Sequence, residues 1–276
     1  MAEPSPRSGT VIRLLPISVV VPALDEGDRI ADCVKSAAQW ADEVIVVDGG
    51  SRDRTADIAR EAGATVYVLT NRTIGAQRNV GADAARNDWI FALDTDERAS
   101  EQLIAELRSR CARKDFEAYR VRMRNFYLGR ERKHGRWGRD WHSRVYRKGL
   151  RFTESRVHER LEHGDAIGTL DGHVLHTPYR DLSHHIAKMR VYARLGALDL
   201  HARGKKASAT DLVVRPVIRF LRDYLVYGSI LEGRYGFVTS ALTGYCAFLK
   251  YAFLYELANS DVPQSGRAAT GSSVSR

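Results

Sequence analysis

Residues 89–96 read Trp89-Ile-Phe-Ala-Leu-Asp94-Thr-Asp96, an apolar run that ends in two carboxylates. A run of consecutive apolar residues is typical of a strand that is buried on both faces of a sheet. Two similar runs, Ile17-Ser-Val-Val-Val-Pro22 and Val44-Ile-Val-Val-Asp48, precede it, and residues 65–69 form a shorter one. The sequence therefore predicts four strands in this part of the chain.

Predicted helices follow each of these strands, and the first of them has apolar residues at helical spacing. The predicted helices span residues 28–40, 53–62, 75–85 and 100–110, and Asp28 is expected to cap the first of them. Strands alternating with helices predict an α/β fold, with a mainly parallel sheet and helices on both faces. Ligands of such sheets bind at the edge where the carboxyl ends of the strands meet.

The composition is that of an ordinary globular protein, with 44% hydrophobic and 28% charged residues among 276. It argues against global disorder, collagen and a polytopic membrane protein. Three scattered cysteines predict neither a disulfide framework nor a zinc ribbon, and they fit a reducing compartment. Residues 1–15 are predicted to be a disordered leader without a secretory signal, and residues 260–276 a disordered tail.

Basic residues are concentrated in one part of the chain. The formal net charge is +9, and residues 108–160 contain 18 Lys or Arg against 6 Asp or Glu. Such a basic band is compatible with binding of nucleic acid, anionic lipid or a phosphorylated small molecule. It is equally compatible with an arginine-rich surface that is merely solvated, and composition alone leaves these alternatives open.

Polar residues follow the predicted strands. Asp94 and Asp96 can direct oxygens at one divalent cation, and oxygen ligands without cysteine favour Mg²⁺ or Mn²⁺. The alternative is that Asp96 and Glu97 only cap the next helix. Asp48, at the end of its strand, suits a hydrogen bond to a base or a ribose hydroxyl, and Gly49 would allow a ligand to approach the backbone closely.

Signatures of several other enzyme classes are missing from the sequence. It contains no Gly-x-Gly-x-x-Gly after the first strand, no Gly-Lys-Ser/Thr and no Gly-x-Ser-x-Gly. These absences argue against a dinucleotide-binding Rossmann domain, a P-loop and an α/β-hydrolase.

Several segments together resemble glycosyltransferase family 2. They are Val19-Val-Val-Pro-Ala-Leu-Asp-Glu26, Ala41-Asp-Glu-Val-Ile-Val-Val-Asp-Gly-Gly-Ser-Arg-Asp-Arg-Thr55, Gly75-Ala-Gln-Arg-Asn79 and Asp88-Trp-Ile-Phe-Ala-Leu-Asp-Thr-Asp-Glu97. Five segments resemble a subgroup of this family, the lipopolysaccharide core β-1,4-glucosyltransferases. They are Gly75–Asn79, Asn125-Phe-Tyr-Leu-Gly129, Val157-His-Glu159, Leu175-His176 and Lys205-Lys-Ala-Ser208. The similarity covers roughly residues 17–257. The chain departs from the family pattern at Asp25, where Asn is commoner, and at Gly50.

The resemblance implies the GT-A fold, a Rossmann-like α/β fold. The catalytic domain would span residues 16–180, with a nucleotide-binding half at 16–112 and an acceptor half at 113–180, and a helical region would follow at 181–259. The implied reaction is the inverting, metal-dependent transfer of a hexose, with glucose favoured, from a UDP-sugar. The acceptor would be a glycolipid or a glycan of the lipopolysaccharide core or cell envelope.

The resemblance also implies the roles of individual residues. The nucleotide-sugar would contact Pro22, Ala23, Glu26, Asp48, Gly49, Ser51, Gln77, Arg78, Asp94 and Thr95. The Mg²⁺ or Mn²⁺ ion would be held by Asp94, Asp96 and His176. An inverting transfer further needs a base for the acceptor hydroxyl, and the candidates are Glu159, which is favoured, and Asp140. The alternative for both carboxylates is an ion pair within the basic band.

The C-terminal region is predicted to form amphipathic helices. Residues 211–227 place Arg215, Arg219 and Arg222 on one stripe, and residues 235–249 carry no charge but are fewer than the ~20 needed to cross a bilayer. Such helices suit a membrane interface, and the alternative is packing against the catalytic domain or a second subunit. The implied lipid-linked acceptor favours a cytoplasmic enzyme bound peripherally to the inner face of the membrane, with oligomerisation left open.

Two other functions are compatible with parts of the sequence. A sugar-phosphate nucleotidyltransferase would share the nucleotide-binding sheet, but residues 22–29 lack its Gly-rich, Arg-containing loop. A non-enzymatic nucleic-acid-binding protein would use the basic band, but it would leave Asp48, Asp94 and Asp96 without a role. The expected partners therefore do not include nucleic acid.

Overall fold

The computed structural model describes residues 14–70, 72–111, 113, 115–155, 159–164 and 167–259, and at Arg136 and Arg139 it describes the backbone alone. The predicted tail, and the predicted leader up to residue 13, lie outside these residues. The chain divides into two compact units, Met1–Asp181 and Leu182–Arg276.

The first unit begins with alternating strands and helices. They are β1 (Leu15–Ala23), α1 (Ile30–Ala38), β2 (Ala41–Asp48), α2 (Thr55–Glu61), β3 (Thr65–Val68), α3 (Ile74–Ala84) and β4 (Trp89–Ala92). The predicted elements are all present, with ends shifted by a few residues. The predicted cap of α1 is wrong: its N-cap residue is Arg29, and the Asp28 carboxylate accepts a hydrogen bond from Arg180 instead.

The second part of this unit is rich in strands. It comprises β5 (Glu97–Ala99), α4 (Glu101–Arg110), β6 (Ala118–Tyr127), β7 (Arg130–Glu131), a 3-10 turn (Arg136–Arg139), β8 (Trp141–Arg147), β9 (Arg151–Phe152), β10 (Leu161–Glu162) and β11 (Ile167–His176). The cap of α4 is Ser100, whose hydroxyl accepts the Leu103 N–H. Asp96 and Glu97 therefore do not cap α4, because the short strand β5 separates them from it.

Within the described residues the main sheet has the strand order β3-β2-β1-β4-β8-β6-β11-β5, and β7 pairs with β6. Strands β3, β2, β1 and β4 run parallel, as do β6 and β11, whereas β8 is antiparallel to both of its neighbours. Successive residues of β1 face opposite sides: Val19 joins the apolar cluster of α1 and α4, and Val20 joins that of α3. Helices thus cover both faces of the sheet, as predicted.

The second unit is helical. It comprises α5 (Leu182–Ala202), α6 (Ala209–Leu221), which continues into a π-helical turn (Arg222–Val226), a 3-10 turn (Ser229–Glu232) and α7 (Arg234–Asn259). Helix α7 packs against both α5 and α6.

Helix α7 is the one helix among the described residues that is long and apolar enough to cross a membrane by length and composition. The uncharged segment 235–249 is part of this 26-residue helix, which continues beyond Lys250. The helix is therefore longer than the uncharged segment alone predicted.

Candidate active site

The loops that follow β1 and β2 are joined by reciprocal hydrogen bonds. The Asp25 N–H donates to Ser51 Oγ at 2.9 Å, and the Arg52 N–H donates to Asp25 Oδ1 at 2.7 Å. The Glu26 N–H donates to Thr55 Oγ1 at 2.9 Å. Asp25 has a φ of +53°, a left-handed conformation that Asp and Asn adopt more readily than other non-glycine residues. The two loops therefore form one constrained edge beside the ends of the parallel strands.

Asp48 is buried and organises its own loop. Its Oδ2 accepts the N–H groups of Gly50 at 3.2 Å and Ser51 at 3.0 Å, and the Ser51 hydroxyl bonds to Oδ1. This pattern is typical of an Asp-initiated turn. Asp48 thus has a structural role in its own loop. A nucleotide contact stays a prediction for both Asp48 and Ser51.

Gly49 brings this loop against β1 and α3. Its N–H donates to the carbonyl oxygen of Ala23 at 2.7 Å, and an added Cβ would lie 2.9 Å from Nε2 of Gln77. Pro22 and Ala23, at the end of β1, are both buried. Four of the residues that the resemblance assigned to the nucleotide therefore lie side by side.

Asp94 lies between two buried arginines at the end of β4. Its Oδ1 accepts a hydrogen bond of 2.6 Å from Arg78 on α3, and its Oδ2 accepts one of 2.9 Å from Arg144 on β8. Burial alone would raise the pKa of Asp94, but the two guanidinium groups outweigh that effect and hold the pKa far below its usual value. Asp94 is therefore a stably ionised carboxylate.

Glu97 and Arg144 form an ion pair that the sequence analysis missed. Arg144 donates to Oε1 of Glu97, and Oε2 of Glu97 accepts the Asp94 N–H at 2.9 Å. Burial raises the pKa of Glu97, with Arg144 opposing that rise. The pair forms because β8 inserts antiparallel beside β4, so no local pattern in the sequence indicates it. Its effect is to fix the backbone and the side chain of Asp94 together.

Glu159 reaches the same site from the segment before β10. Its Oε1 accepts a hydrogen bond of 2.8 Å from Arg78, whose guanidinium also lies over the Phe152 ring, 4.9 Å from its centroid. Close backbone packing makes this approach possible, because a Cβ on Gly75 would lie 2.1 Å from the carbonyl oxygen of Thr153. The structure thus brings Glu159 and Asp94 onto one guanidinium.

A second chain of polar contacts starts at Asp96. Its Oδ1 lies 3.6 Å from Nε2 of His176, whose Nδ1 lies 2.6 Å from Oδ1 of Asn125. Asn125 in turn donates to Oδ2 of Asp140 at 3.3 Å, and Oδ1 of Asp140 lies 2.9 Å from Nε2 of His142. The pairing with Asn125 holds the His176 ring in place with Nε2 directed to Asp96.

The pKa values of His176 and of the second candidate base, Asp140, are shifted in opposite directions. Burial opposes the charged form of His176, but hydrogen bonding to Asp96 and its charge raise the pKa of the ring overall. Burial likewise opposes ionisation of Asp140, but the hydrogen bond from His142 lowers its pKa. Asp140 is consequently a weak proton acceptor.

Three side chains are close enough to share a metal ion. One ligand atom from each of Asp96, Glu97 and His176 lies within 4.8 Å of the others. Two carboxylates and one imidazole suit a divalent cation such as Mn²⁺. Asp94 is outside this cluster and has both oxygens bonded to arginines, so its assignment as a metal ligand stays a prediction.

The remaining predicted site residues lie around these groups. Thr95 is buried and its carbonyl oxygen accepts a hydrogen bond of 2.9 Å from Arg98. Oε2 of Glu26 lies 3.5 Å from Nη2 of Arg180. Neither contact identifies a nucleotide ligand.

Part of the basic band forms one face of β6. Arg120, Arg122 and Arg124 alternate with buried residues along this strand. Arg124 binds both carboxylate oxygens of Glu131, at 2.7 and 2.6 Å, and Arg122 donates to the Gly138 carbonyl oxygen. Some of the band is thus engaged in internal pairing. The local net charge therefore overstates the charge that is available to a ligand.

The fold is an α/β fold in which carboxylates and arginines meet at the edge where the parallel strands end, and the family follows from the sequence. The chain belongs to glycosyl transferase family 2, whose family model matches residues 18–162. It is a glycosyltransferase. The alternatives of a nucleotidyltransferase and of a non-enzymatic nucleic-acid-binding protein are therefore wrong.

Two relatives of similar length, both named as glycosyltransferases, support this assignment. The chain is 28% identical over 263 residues to the lipopolysaccharide core biosynthesis glycosyltransferase LpsC of Rhizobium meliloti, covering 89% of this chain and 94% of LpsC. It is also 28% identical to an uncharacterized glycosyltransferase of Rickettsia typhi, covering 87% of each. The crystal structure of S. aureus TarS in complex with UDP-GlcNAc aligns with a TM-score of 0.48 at 15% identity, covering 88% of this chain and 91% of TarS.

Proposed function

We propose that this glycosyltransferase transfers a hexose, with glucose as the first candidate, from a UDP-sugar with inversion and with the help of Mn²⁺ or Mg²⁺. The observation that carries the proposal is the cluster of Asp96, Glu97 and His176 beside the Arg78–Asp94–Arg144 assembly. Carboxylates and an imidazole next to arginines suit a diphosphate together with the cation that accompanies it.

Asp96 and His176 are the residues that would hold the ion. Glu97 contributes mainly by accepting hydrogen bonds from Arg144 and from the Asp94 N–H. A bound divalent cation would supply Lewis-acid neutralisation of the leaving diphosphate. Asn125 fixes the orientation of the His176 ring, as outer-sphere partners of metal-binding histidines usually do.

Arg78 and Arg144 would contribute to donor binding. The Nε atoms of both side chains are buried and have no hydrogen-bond partner among the described residues. Buried donors without partners are unfavourable unless a ligand satisfies them. Together with Pro22, Ala23, Glu26, Asp48, Gly49, Ser51, Gln77, Asp94 and Thr95, they would form the nucleotide-sugar pocket.

Glu159 is the proposed base for the acceptor hydroxyl. Arg78 holds one of its oxygens, and Oε2 takes part in no hydrogen bond among the described residues. Asp140 is the weaker candidate because His142 and Asn125 occupy its two oxygens and lower its pKa. An inverting transfer needs a carboxylate of this kind near the donor to take the proton of the acceptor hydroxyl, and Glu159 would supply it.

The proposed acceptor is a glycolipid or a glycan of the lipopolysaccharide core or cell envelope. Its support is the similarity to LpsC, which is named for lipopolysaccharide core biosynthesis. An acceptor of this kind would place the enzyme peripherally on the inner face of the membrane.

Thermal unfolding of the full chain with UDP, with and without MnCl₂, tests the metal and nucleotide assignments. We expect UDP to raise the melting temperature substantially only when Mn²⁺ is present, and Asp96→Asn to abolish that dependence. The exposed Asp57→Asn serves as the matched control and should behave like the unchanged protein. A UDP shift of equal size in EDTA, or in Asp96→Asn, would contradict the metal assignment. Hydrolysis of different UDP-sugars under the same conditions identifies the donor.

A further inference from the structure

Helix α6 is unusual because none of its residues is buried. One side packs on α7, where a Cβ on Gly244 would lie 2.9 Å from the carbonyl oxygen of Pro216 and 3.3 Å from Cβ of Phe220. The Phe220 ring also meets Phe237 of α7 edge-on, with 5.6 Å between centroids. Packing on α7 therefore accounts for only one of the helix's faces.

A second face of α6 is apolar and exposed. Its members fall within roughly 140° of the helix circumference at about 100° per residue: they are Val213, Val214, Val217, Ile218 and Leu221. Val213 is 65% exposed, Val217 is 51% exposed and Ile218 is 54% exposed. We call this set the α6 apolar face.

The two turns that follow α6 in the chain also expose apolar side chains. Val226 at the end of the π-helical turn is 74% exposed, and Leu231 in the following 3-10 turn is 72% exposed. Single exposed apolar residues are ordinary on protein surfaces, whereas a continuous set marks a surface that binds something. A helix face followed directly by two exposed apolar turns is such a set.

Positive charge borders the α6 apolar face. Arg215, Arg219 and Arg222 recur on the neighbouring stripe of the helix, and Arg222 is exposed. Across residues 182–259 there are 11 Lys or Arg against 5 Asp or Glu. An apolar face beside arginines is complementary to a surface that is apolar inside and anionic outside, which is an anionic lipid bilayer.

Helix α7 meets the length criterion for crossing a membrane, but its contacts favour another role. It packs against both α5 and α6. Its Ser240 hydroxyl donates to Oδ2 of the buried Asp223 at 2.7 Å, and Ser229 donates to the same oxygen at 3.2 Å. This polar contact joins α7 to the end of α6. Withdrawal of α7 into a bilayer would leave the buried Asp223 carboxylate without the hydrogen bond from Ser240.

We propose that the α6 apolar face and the turns at Val226 and Leu231 bind the surface of an anionic membrane, with α6 lying in the plane of the interface. The helical unit then attaches the enzyme peripherally, and α7 serves as the support of α6. This inference rests on the proposed function only in that a glycolipid acceptor gives the enzyme a reason to work at a membrane.

Flotation of the full chain with vesicles tests the proposal. We expect binding to vesicles of phosphatidylcholine mixed with phosphatidylglycerol, and much weaker binding to phosphatidylcholine alone. Val217→Asp and Val226→Asp should each lower the partition coefficient by about tenfold or more, because each removes an exposed apolar group that the bilayer would bury and adds a negative charge. Arg222→Gln should lower it about fivefold on the anionic vesicles only. The matched control is Val68→Asp on β3, which should bind as the unchanged protein does.

Several results would overturn the proposal. One is equal vesicle binding by Val217→Asp, Val226→Asp and the unchanged protein, and another is no binding to either kind of vesicle. Resistance of the bound protein to extraction with alkaline carbonate would instead assign α7 as a spanning anchor. Light scattering that shows a dimer in the unchanged protein and a monomer in Val217→Asp would assign the face to a second copy. The Mn²⁺-dependent UDP shift is measured without vesicles, so its failure is distinguishable from failure of membrane binding.

Discussion

Nη2 of Arg78 lies 2.6 Å from Oδ1 of Asp94, and Nη1 of the same guanidinium lies 2.8 Å from Oε1 of Glu159. One residue of α3 therefore joins the end of β4 to the segment that precedes β10. Asp94 is itself shared with Arg144. The proposed donor-binding carboxylate and the proposed base are thus held by one partly buried network, and changes in any member should propagate to the others.

Arg144→Leu should destabilise the first unit severely. The change leaves the buried Glu97 without its cation and Asp94 with one arginine instead of two. Breaking a buried ion pair on one side typically lowers the free energy of unfolding by about 3 kcal/mol. Urea unfolding measures the loss, and Arg60→Leu, which removes an exposed pair with Asp57, should lose less than about 0.5 kcal/mol. Similar losses in the two variants would contradict the structural role of Arg144.

Gly75→Ala should perturb the site through the backbone. The new Cβ would lie 2.1 Å from the Thr153 carbonyl oxygen and 3.4 Å from Cβ of Glu159, so the segment that carries Glu159 must move. We expect a loss of about 1–3 kcal/mol in unfolding free energy and a fall in donor hydrolysis. Gly149→Ala is the control, because its Cβ would meet nothing within 4 Å. Unchanged stability and activity in Gly75→Ala would show that the segment relaxes freely.

Glu159→Gln and Asp140→Asn separate the two candidate bases. The amide that replaces the Glu159 carboxylate retains an oxygen that can accept from Arg78 but cannot take a proton, so kcat for hydrolysis of the UDP-sugar should fall by about 10²–10⁴ with little change in KM. Asp140→Asn should have a smaller effect on kcat and should alter Mn²⁺ affinity, because Asp140 supports Asn125 and thereby His176. A larger fall in kcat for Asp140→Asn than for Glu159→Gln would exchange the two roles.

The helical unit should lose stability on acidification. Burial, with help from His184 and Lys188, lowers the pKa of His185 from 6.5 to about 4. Between these values the unfolded chain binds a proton that the folded chain does not, so stability falls as the pH drops from 6.5 towards 4. The loss reaches about 1–3 kcal/mol. Urea unfolding followed by circular dichroism at several pH values measures it, and His185→Gln should flatten the dependence. The exposed His163→Gln should leave it intact.

Much of the fold could be predicted from local sequence. The apolar runs at residues 17–22, 44–48 and 89–93 have no polar face, so each had to be a buried strand, and the intervening helices follow from their spacing. Their order then placed Asp48, Asp94 and Asp96 at one edge of a parallel sheet, because the carboxyl ends of parallel strands coincide.

The contacts of the site could not be predicted in this way. Arg144 meets Asp94 and Glu97 because β8 inserts antiparallel next to β4, a pairing between residues far apart in the chain. Asn125 and Asp140 reach His176 because β6 lies between β8 and β11. Neither strand order nor register in this half follows from the local alternation of apolar and polar residues.

The amino-acid sequence alone therefore determined the class of fold, the family resemblance and the edge at which the carboxylates lie, since these depend on local patterns. Tertiary structure alone decided that Arg78 and Arg144 hold Asp94, that Glu97 is a buried partner of Arg144, and that one face of α6 lies open. Those features depend on which segments, far apart in the chain, pack against each other and exclude water. Local sequence patterns do not specify that packing.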